Sequence, residues 1–515
     1  MNKNFLFAVA VFSLWSILAN AQTAELLRGP YLQVATSTSM VVRWRTDKPN
    51  IGRVRFGIAF GKLNKSADDT ALTREHIICL RNLTPHQQYY YSIGDFHTIL
   101  QGGTENFFYT LPRSGKDGYY RIGIFGDCGN NSVNQEQVKY QFLKYLGKGL
   151  LDAWILLGDN AYSSGQDAEF QQKFFNMYKN DLLKKFPLFP SPGNHDYTDG
   201  NYPGTDSIAQ SNHQVAYYQN FSMPVDGQAG GVPSHTQAFY SFDIGNIHFL
   251  SLDSYGKEDS QYRLYDTLGP QVEWIKKDLS ASAKKQWIIA FWHHPPYTMG
   301  SHNSDREMEL VKIRENLVPI LERYGVDLIL CGHSHDYERS RLMKGNFGMN
   351  TSFDAKTHNL SNSSGLYDGS TNSCPYTKDS SNQGTVYVVS GSAGQLGGMQ
   401  KTWPHTAMYY ANAKNGGALM LTVRENRLDL KWICGDGLIR DHFTMMKNLT
   451  RDSLIIIQKG QKIRLTASFI GEYLWDTNKS NTRSILVQPG TGTHRYVVTD
   501  KKGCFREVFV VKTQN

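Results

Sequence analysis

Four apolar runs in the middle of the chain constrain its fold more than any other feature: "YYRIGIFGDCG", "LDAWILLGDN", "QWIIAFWHHPP" and "YGVDLILCGHSH". Each has the length of a buried strand, and each ends in a glycine or polar turn that bears Asp, Asn or His. After the first comes "SVNQEQVKYQFLKYL", where Ser132 and Gln135 are spaced for a capping box. After the second, "DAEFQQKFFNMYKNDLLKK" sets Phe170, Phe174, Tyr178 and Leu182 on one helical face at intervals of four. Strands followed by helices predict βαβ units in an α/β domain, and functional groups in such sheets collect at the carboxyl ends of the strands.

The full 515 residues are too many for one ordinary core, so a multi-domain chain is expected. Residues 26 to 112 alternate as strands do, in "SMVVRWRTD", "RVRFGI", "HQQYYYSIG" and "NFFYTLP". They predict an N-terminal β-sandwich over 25–112. Within it, "LTPHQQYYY" resembles the Leu-x-Pro-x-x-x-Tyr corner of fibronectin type III modules, with Leu83, Pro85 and Tyr89 in the matching places. The α/β region is expected over 119–447. It contains an aperiodic stretch rich in Asn, Ser, Thr and Gly at 345–383 that reads as a long surface insertion. Short strands such as "KIRLTASF" and "EVFVV" return over 452–515. The ending "YVVTDKKGC", with Tyr496, Asp500, Gly503 and Cys504, resembles the immunoglobulin-like modules appended to exported bacterial proteins, which implies a C-terminal Ig-like β-sandwich.

Residues 1–21 combine an early lysine, a short apolar stretch and the ending Ala19-Asn20-Ala21, the pattern of a cleaved secretory signal peptide. A secreted protein is expected, whether extracellular, periplasmic or held at a cell surface. No later run of eighteen apolar residues offers a membrane span. The net charge of +8 comes without a block of five basic residues, so nucleic acid is not an expected partner. The six cysteines lack zinc-site spacing, and their positions name no disulfide.

Five short motifs stand at the ends of the central strands. They are "GDCG" with Asp127, "GDNAY" with Asp159 and Tyr162, "GNHD" with Asn194 and His195, "FWHHPPY" with His293 and His294, and "GHSHDYER" with His333 and His335. Singly each suits a polar turn; jointly they point to one shared site. Carboxylates, imidazoles and an amide without cysteine suit hard to borderline metals such as iron, manganese and zinc, in numbers sufficient for two ions. In two-metal sites the ions lie roughly 3.5–4 Å apart, a spacing that needs a bridge, and Asp159 is the candidate.

The order and wording of these motifs resemble the purple acid phosphatases within the calcineurin-like metallophosphoesterases, over about residues 119–445. The string "RGPYLQ" carries the likeness back toward residue 26. The resemblance implies a catalytic domain built as a two-sheet sandwich flanked by helices. It implies Asp127, Asp159, Tyr162 and His335 on a ferric ion, and Asp159, Asn194, His293 and His333 on a neighbouring divalent Zn, Fe or Mn. Most of the superfamily has Asp-x-His at the first motif, whereas Gly129 stands here, and Tyr162 takes the place of that imidazole. Laid over the family pattern, His293 is the ligand, which leaves His294 as a hydrogen-bonding residue behind it or a structural residue. The resemblance places His302 near the leaving group and His195 as a second histidine beside the metals; Asp196 is expected to orient His195 or to cap a turn. The implied activity is hydrolysis of a small phosphomonoester by a metal-bound hydroxide. A phosphodiesterase, nucleotidase or pyrophosphatase on the same core is the alternative, and a degenerate surface-binding protein a more distant one. The flanking β modules are candidates for contact with a surface or with carbohydrate.

Overall fold

The computed structural model of the protein describes residues 23–197, 206–379, 383–477 and 479–514. The expected signal peptide, 1–21, lies outside the described residues. Among those described, no helix is long and apolar enough to cross a membrane.

The N-terminal domain is β-rich. Its strands Leu26–Gln33, Met40–Gly57, Lys65–Leu80, Gln88–Gly94, Ile99–Gln101 and Phe107–Tyr109 form one antiparallel sheet. Met40–Gly57 pairs with Leu26–Gln33 through its first half, with Gln88–Gly94 through its second, and with Lys65–Leu80 on its other edge. One long strand thus serves both sides of a core that includes Trp44, Tyr89 and Phe108. Alternation accounts for its burial: Met40, Val42 and Trp44 are fully buried. The expected corner is present, since the Tyr89 hydroxyl accepts a hydrogen bond from Thr84 N at 3.0 Å.

The polar residues of "RGPYLQ" fasten this domain to the next. Arg28 is fully buried and donates to Gln171 Oε1 at 2.7 Å and to Asp167 Oδ1 at 3.0 Å, while its guanidinium lies 4.2 Å from the Phe175 ring centre. The Tyr31 hydroxyl donates to Asn220 O at 2.8 Å, and Gln33 accepts from Ser222 N at 2.9 Å. Apolar packing is continuous across the same contact, with Tyr31 and Phe175 4.9 Å apart.

The central domain holds two seven-stranded sheets. One runs in the order Tyr240–Ile244, Ile247–Ser251, Trp287–Phe291, Leu328–Cys331, Val386–Ser390, Tyr337–Ser340, Met408–Asn412. The other runs Tyr376–Lys378, Ile439–Lys447, Arg427–Cys434, Gly417–Arg424, Tyr119–Phe125, Ala153–Leu157, Leu188–Ser191. Neighbours are parallel from Ile247–Ser251 through Val386–Ser390 in the first sheet, and among the last three strands of the second. Ala153–Leu157 and Trp287–Phe291 are buried along their whole length, which is why they read as unbroken apolar runs.

Helix Val133–Leu146 starts at Ser132, whose side chain accepts from Gln135 N at 3.0 Å. Only half of the expected capping box forms, because Gln135 Oε1 turns to Asn130 N and Asn131 N rather than to Ser132 N. The helical face with Phe170, Phe174, Tyr178 and Leu182 is buried, but the helix ends at Tyr178, short of the expected length. Its middle, Phe170–Phe175, is a π-helix. Intervals of four drift by about 40° per step on an α-helix, and a wider π turn returns the phenylalanines to one face.

The stretch 345–383 differs from the expected surface insertion. It contributes strand Tyr376–Lys378, parallel to Ile439–Lys447, and its Tyr367 is buried in the core of the C-terminal strands. A three-residue strand is too short to leave a period in the sequence. Disulfide Cys374–Cys504 joins this stretch to the C-terminal region. There, Asp452–Gln458, Arg506–Gln514, Gly492–Asp500 and Tyr473–Trp475 form one sheet and Ile463–Thr466 with Ser484–Val487 another, around Leu465, Trp475, Val498 and Phe509.

Candidate metal centre

The carboxyl ends of parallel strands from both sheets meet at one rim. Asp127 follows Tyr119–Phe125, Asp159 follows Ala153–Leu157, Asn194 follows Leu188–Ser191, His293 follows Trp287–Phe291, and His333 follows Leu328–Cys331. Three of these residues leave their strands in the left-handed region, with φ of 57° at Asp127, 51° at Asp159 and 68° at His333. Such conformations cost energy in residues other than glycine and concentrate where side chains must be aimed. Two glycines make the close approach feasible. A Cβ at Gly193 would lie 2.2 Å from Asp159 Oδ1, and one at Gly129 would lie 1.9 Å from Asn160 O. No side chain fits at position 129, so the imidazole expected of Asp-x-His has no room here.

All seven expected ligands converge. The Tyr162 hydroxyl donates to Asp127 Oδ1 at 3.0 Å and lies 3.1 Å from His335 Nε2, which is itself 3.5 Å from Asp127 Oδ1. Beside this trio, His293 Nε2 is 3.0 Å from Asn194 Oδ1, 3.2 Å from His333 Nδ1 and 3.3 Å from Asp159 Oδ2. Donor atoms of Asp127, Asp159 and His293 all lie within 4.8 Å of one another, so Asp159 stands between the two groups.

Hydrogen bonds behind the cluster set which atoms face inward. His293 Nδ1 meets Leu157 O at 2.9 Å, which leaves its Nε2 lone pair to the site. Asp196 is fully buried and accepts from Gly193 N at 2.8 Å, Asn160 Nδ2 at 2.8 Å and Asn160 N at 3.1 Å, tying two ligand loops together. His294 turns Nδ1 to Ser254 Oγ at 2.8 Å and stacks on Tyr255, with its ring centre 4.3 Å from that of His333. The two histidines expected near the substrate stand at the open edge, with side chains 27% exposed for His195 and 32% for His302. His195 donates its backbone N–H to Asp159 Oδ1 at 3.0 Å, and its Nδ1 lies 2.6 Å from Ser163 O. His302 stacks on His333 with ring centres 3.6 Å apart.

Sequence reasoning missed three neighbours. Glu307 Oε2 lies 2.8 Å from His302 Nδ1, Gln395 Nε2 lies 3.2 Å from His335 Nδ1, and Asn160 anchors on Asp196. For Gln395 a signal existed: "VYVVSGSAGQ" repeats the pattern of an apolar run followed by glycine.

The electrostatics describe a site short of positive charge. Burial opposes ionisation of Asp159, but His293 and His195 outweigh it and hold the carboxyl well below its usual range. His293 is raised to about 9: burial works against its charge, and Asp159 and Asp127 overcome it. Burial brings His333 down to about 3, only partly countered by Glu307. Burial and then the neighbouring carboxylates of Asp127 and Asp159 push the Tyr162 phenol well above its ordinary value. Burial, with Asp159 second, raises Asp196 to about 7. Among the described residues neither Asp127 nor Asp159 pairs with Lys or Arg. Buried carboxylates, a phenol, an amide oxygen and imidazole lone pairs crowded within hydrogen-bond distance fit hard to borderline cations.

Comparison with known proteins agrees with this geometry. Residues 120–337 match the family model for calcineurin-like phosphoesterase, and residues 28–110 match that for the purple acid phosphatase N-terminal domain. Acid phosphatase type 7 of Homo sapiens is 27% identical over 389 residues, which cover 69% of this chain and 75% of that protein. Purple acid phosphatase 23 of Arabidopsis thaliana is 26% identical over 363 residues, covering 60% of this chain and 73% of its own. The solved structure of purple acid phosphatase PPD1 from yellow lupin (Lupinus luteus) seeds shares the fold, with a TM-score of 0.60 at 19% identity over 82% of this chain and 74% of that one. The chain thus joins a purple acid phosphatase N-terminal domain to a calcineurin-like phosphoesterase domain, as an acid phosphatase-type metallophosphoesterase similar to proteins named purple acid phosphatase.

Proposed function

We propose that the protein is an exported phosphatase that hydrolyses small phosphomonoesters with a ferric ion and a divalent ion, Zn, Fe or Mn, as its cofactors. The observation that carries this reading is the Tyr162 hydroxyl seated at hydrogen-bond distance from both Asp127 and His335. A phenolate there is a hard, anionic donor suited to ferric iron. Asp127, Tyr162 and His335 would hold one ion and Asn194, His293 and His333 the other, with Asp159 available to both. When bound, the ions supply the charge that polarises the phosphoryl group and renders water nucleophilic near neutral pH.

The chain's own residues supply orientation and protons. Leu157 O holds His293 with its Nε2 inward, and Asp196 keeps the loops of Asp159 and Asn194 in register. His302, with its Nδ1 engaged, presents Nε2 at the open edge as proton donor to the departing ester oxygen. His195, with its Nε2 3.9 Å from Asp159 Oδ2, is placed to contact phosphoryl oxygens. Export rests on the composition of residues 1–21. The N-terminal unit, 25–112, is read as fibronectin type III-like, 119–447 as the catalytic domain and 452–515 as Ig-like.

Visible absorption and metal analysis of the purified protein test the cofactor assignment. A charge-transfer band is expected in the wild type and its loss in Tyr162→Phe; a colourless protein without iron would overturn the ferric assignment. Rates on p-nitrophenyl phosphate, its bis ester and ATP test the substrate class, and a preference for the bis ester or for ATP would replace the monoesterase reading by a phosphodiesterase or nucleotidase one.

A further inference from the structure

Glu307 is placed where one carboxylate addresses two histidines. It stands at the N-cap position of helix Met308–Lys312, and its Oε1 accepts the backbone N–H of Asn303. Its Oε2 lies 2.8 Å from His302 Nδ1 and 3.5 Å from His333 Nε2. The two rings stack at 3.6 Å, with planes 29° apart. On His333 the carboxylate meets the nitrogen that faces away from the cluster, since Nδ1 is the atom beside His293. On His302 it occupies Nδ1, so Nε2 is the nitrogen left to the open edge. The tautomer of an imidazole is set by the partner of its other nitrogen, and carboxylates behind metal-bound histidines orient those rings in the same way.

We propose that Glu307 is a positioning residue for phosphoester hydrolysis: it locks His302 as the Nδ1–H tautomer when neutral, and holds the ring so that Nε2–H, once protonated, points at the leaving oxygen. The inference rests on the phosphatase reading above. In the step concerned, a water oxygen forms a bond to phosphorus and gives one proton to solvent. The bond from phosphorus to the ester oxygen breaks with its electron pair on that oxygen, and the His302 Nε2 proton moves there. His302 then regains a proton from water. Contact with His333 makes the same carboxylate a brace between the proton donor and the ligand it stacks on.

The experiment compares two monoesters: p-nitrophenyl phosphate, whose leaving group needs little protonation, and 2-glycerophosphate, whose alkoxide needs it. Glu307→Ala should lower kcat on 2-glycerophosphate about 10- to 100-fold, in the range of a lost outer hydrogen bond, and on p-nitrophenyl phosphate less than about threefold. Two metal ions per chain should be retained. Glu307→Gln, whose amide oxygen still accepts from Nδ1–H, should recover part of the loss. In a His302→Asn background, Glu307→Ala should cost nothing more on 2-glycerophosphate. Equal losses on both esters, additive losses in the double variant, or a third metal ion held by His302 and Glu307 would overturn the proposal. A second measurement is independent of turnover. In chelator-treated protein with 15N-labelled histidine, long-range 1H–15N correlation should show His302 as the Nδ1–H tautomer, changed in Glu307→Ala. An unchanged tautomer refutes the role of Glu307, whereas a wild type inactive on both esters with the expected tautomer shift refutes the phosphatase reading instead.

Discussion

Asp196 shows how much of the site depends on residues that point away from it. Its carboxylate accepts three N–H groups, from Gly193, the Asn160 backbone and the Asn160 side chain, and these sit on the two loops that carry Asn194 and Asp159. In Asp196→Asn an NH2 group replaces one acceptor and faces N–H donors in a buried site. The expected result is metal binding weakened about 10- to 100-fold in chelator competition, with far-ultraviolet circular dichroism unchanged. Retention of both metals at wild-type affinity would show that the loops hold themselves. The candidate ligands themselves were legible as sequence because Asp127, Asp159 and His333 each stand beside glycine just past an apolar run. Glu307 was not, because "SHNSDRE" has the composition of any polar loop, and only the fold stacks His302 on His333 above it.

Single elements extend the same logic over longer stretches. Ser132 starts helix Val133–Leu146 by accepting from Gln135 N, and its hydroxyl also donates to Gly394 O, in the loop that brings Gln395 to His335. Ser132→Ala removes both bonds. It should cost about 1 kcal/mol for the cap, seen as a lower denaturant midpoint, and should also reduce kcat modestly because the 394–397 loop loses an anchor. A stability change with no change in kcat would separate the cap from the site. The buried parallel strands were readable because burial on both faces leaves an unbroken apolar run. The hairpin Tyr240–Ile244 and Ile247–Ser251 is equally buried, yet carries no ligand at its turn, so nothing marked it as part of the same sheet. Strand Tyr376–Lys378 and the π turn at Phe170–Phe175 are set by packing that lies outside their own residues, through Ile439–Lys447 and Phe221.

Across the whole molecule, one buried charge cluster outside the candidate metal centre joins several of these pieces. His248, fully buried in strand Ile247–Ser251, lies between Asp243 Oδ1 at 2.9 Å and Asp278 Oδ2 at 2.7 Å. Asp243 also takes Lys285 and the Ser114 hydroxyl, which belongs to the segment leaving the N-terminal domain. Asp278, on helix Pro270–Ala281, accepts from Val232 N and Ser241 Oγ. Burial disfavours the imidazolium, but the two aspartates outweigh it and raise the pKa of His248 above its ordinary value. Asp243 is lowered despite burial, by His248 first and then Lys285. A raised histidine contributes stability that is complete below its unfolded value, about 6.5, and is lost as pH rises through the folded value. A lowered aspartate contributes above its unfolded value, about 3.9, and that contribution is lost as pH falls through the folded one. The cluster is therefore strongest at mildly acidic pH and weakens toward alkali. Thermal unfolding from pH 5.5 to 9 should show a falling midpoint. His248→Asn should lower the midpoint at pH 5.5, where leaving buried Asp278 without its cation, and Asp243 with Lys285 alone, costs about 3–5 kcal/mol, and should flatten the decline above neutrality. If the variant keeps the wild-type slope, the alkaline loss arises elsewhere in the chain.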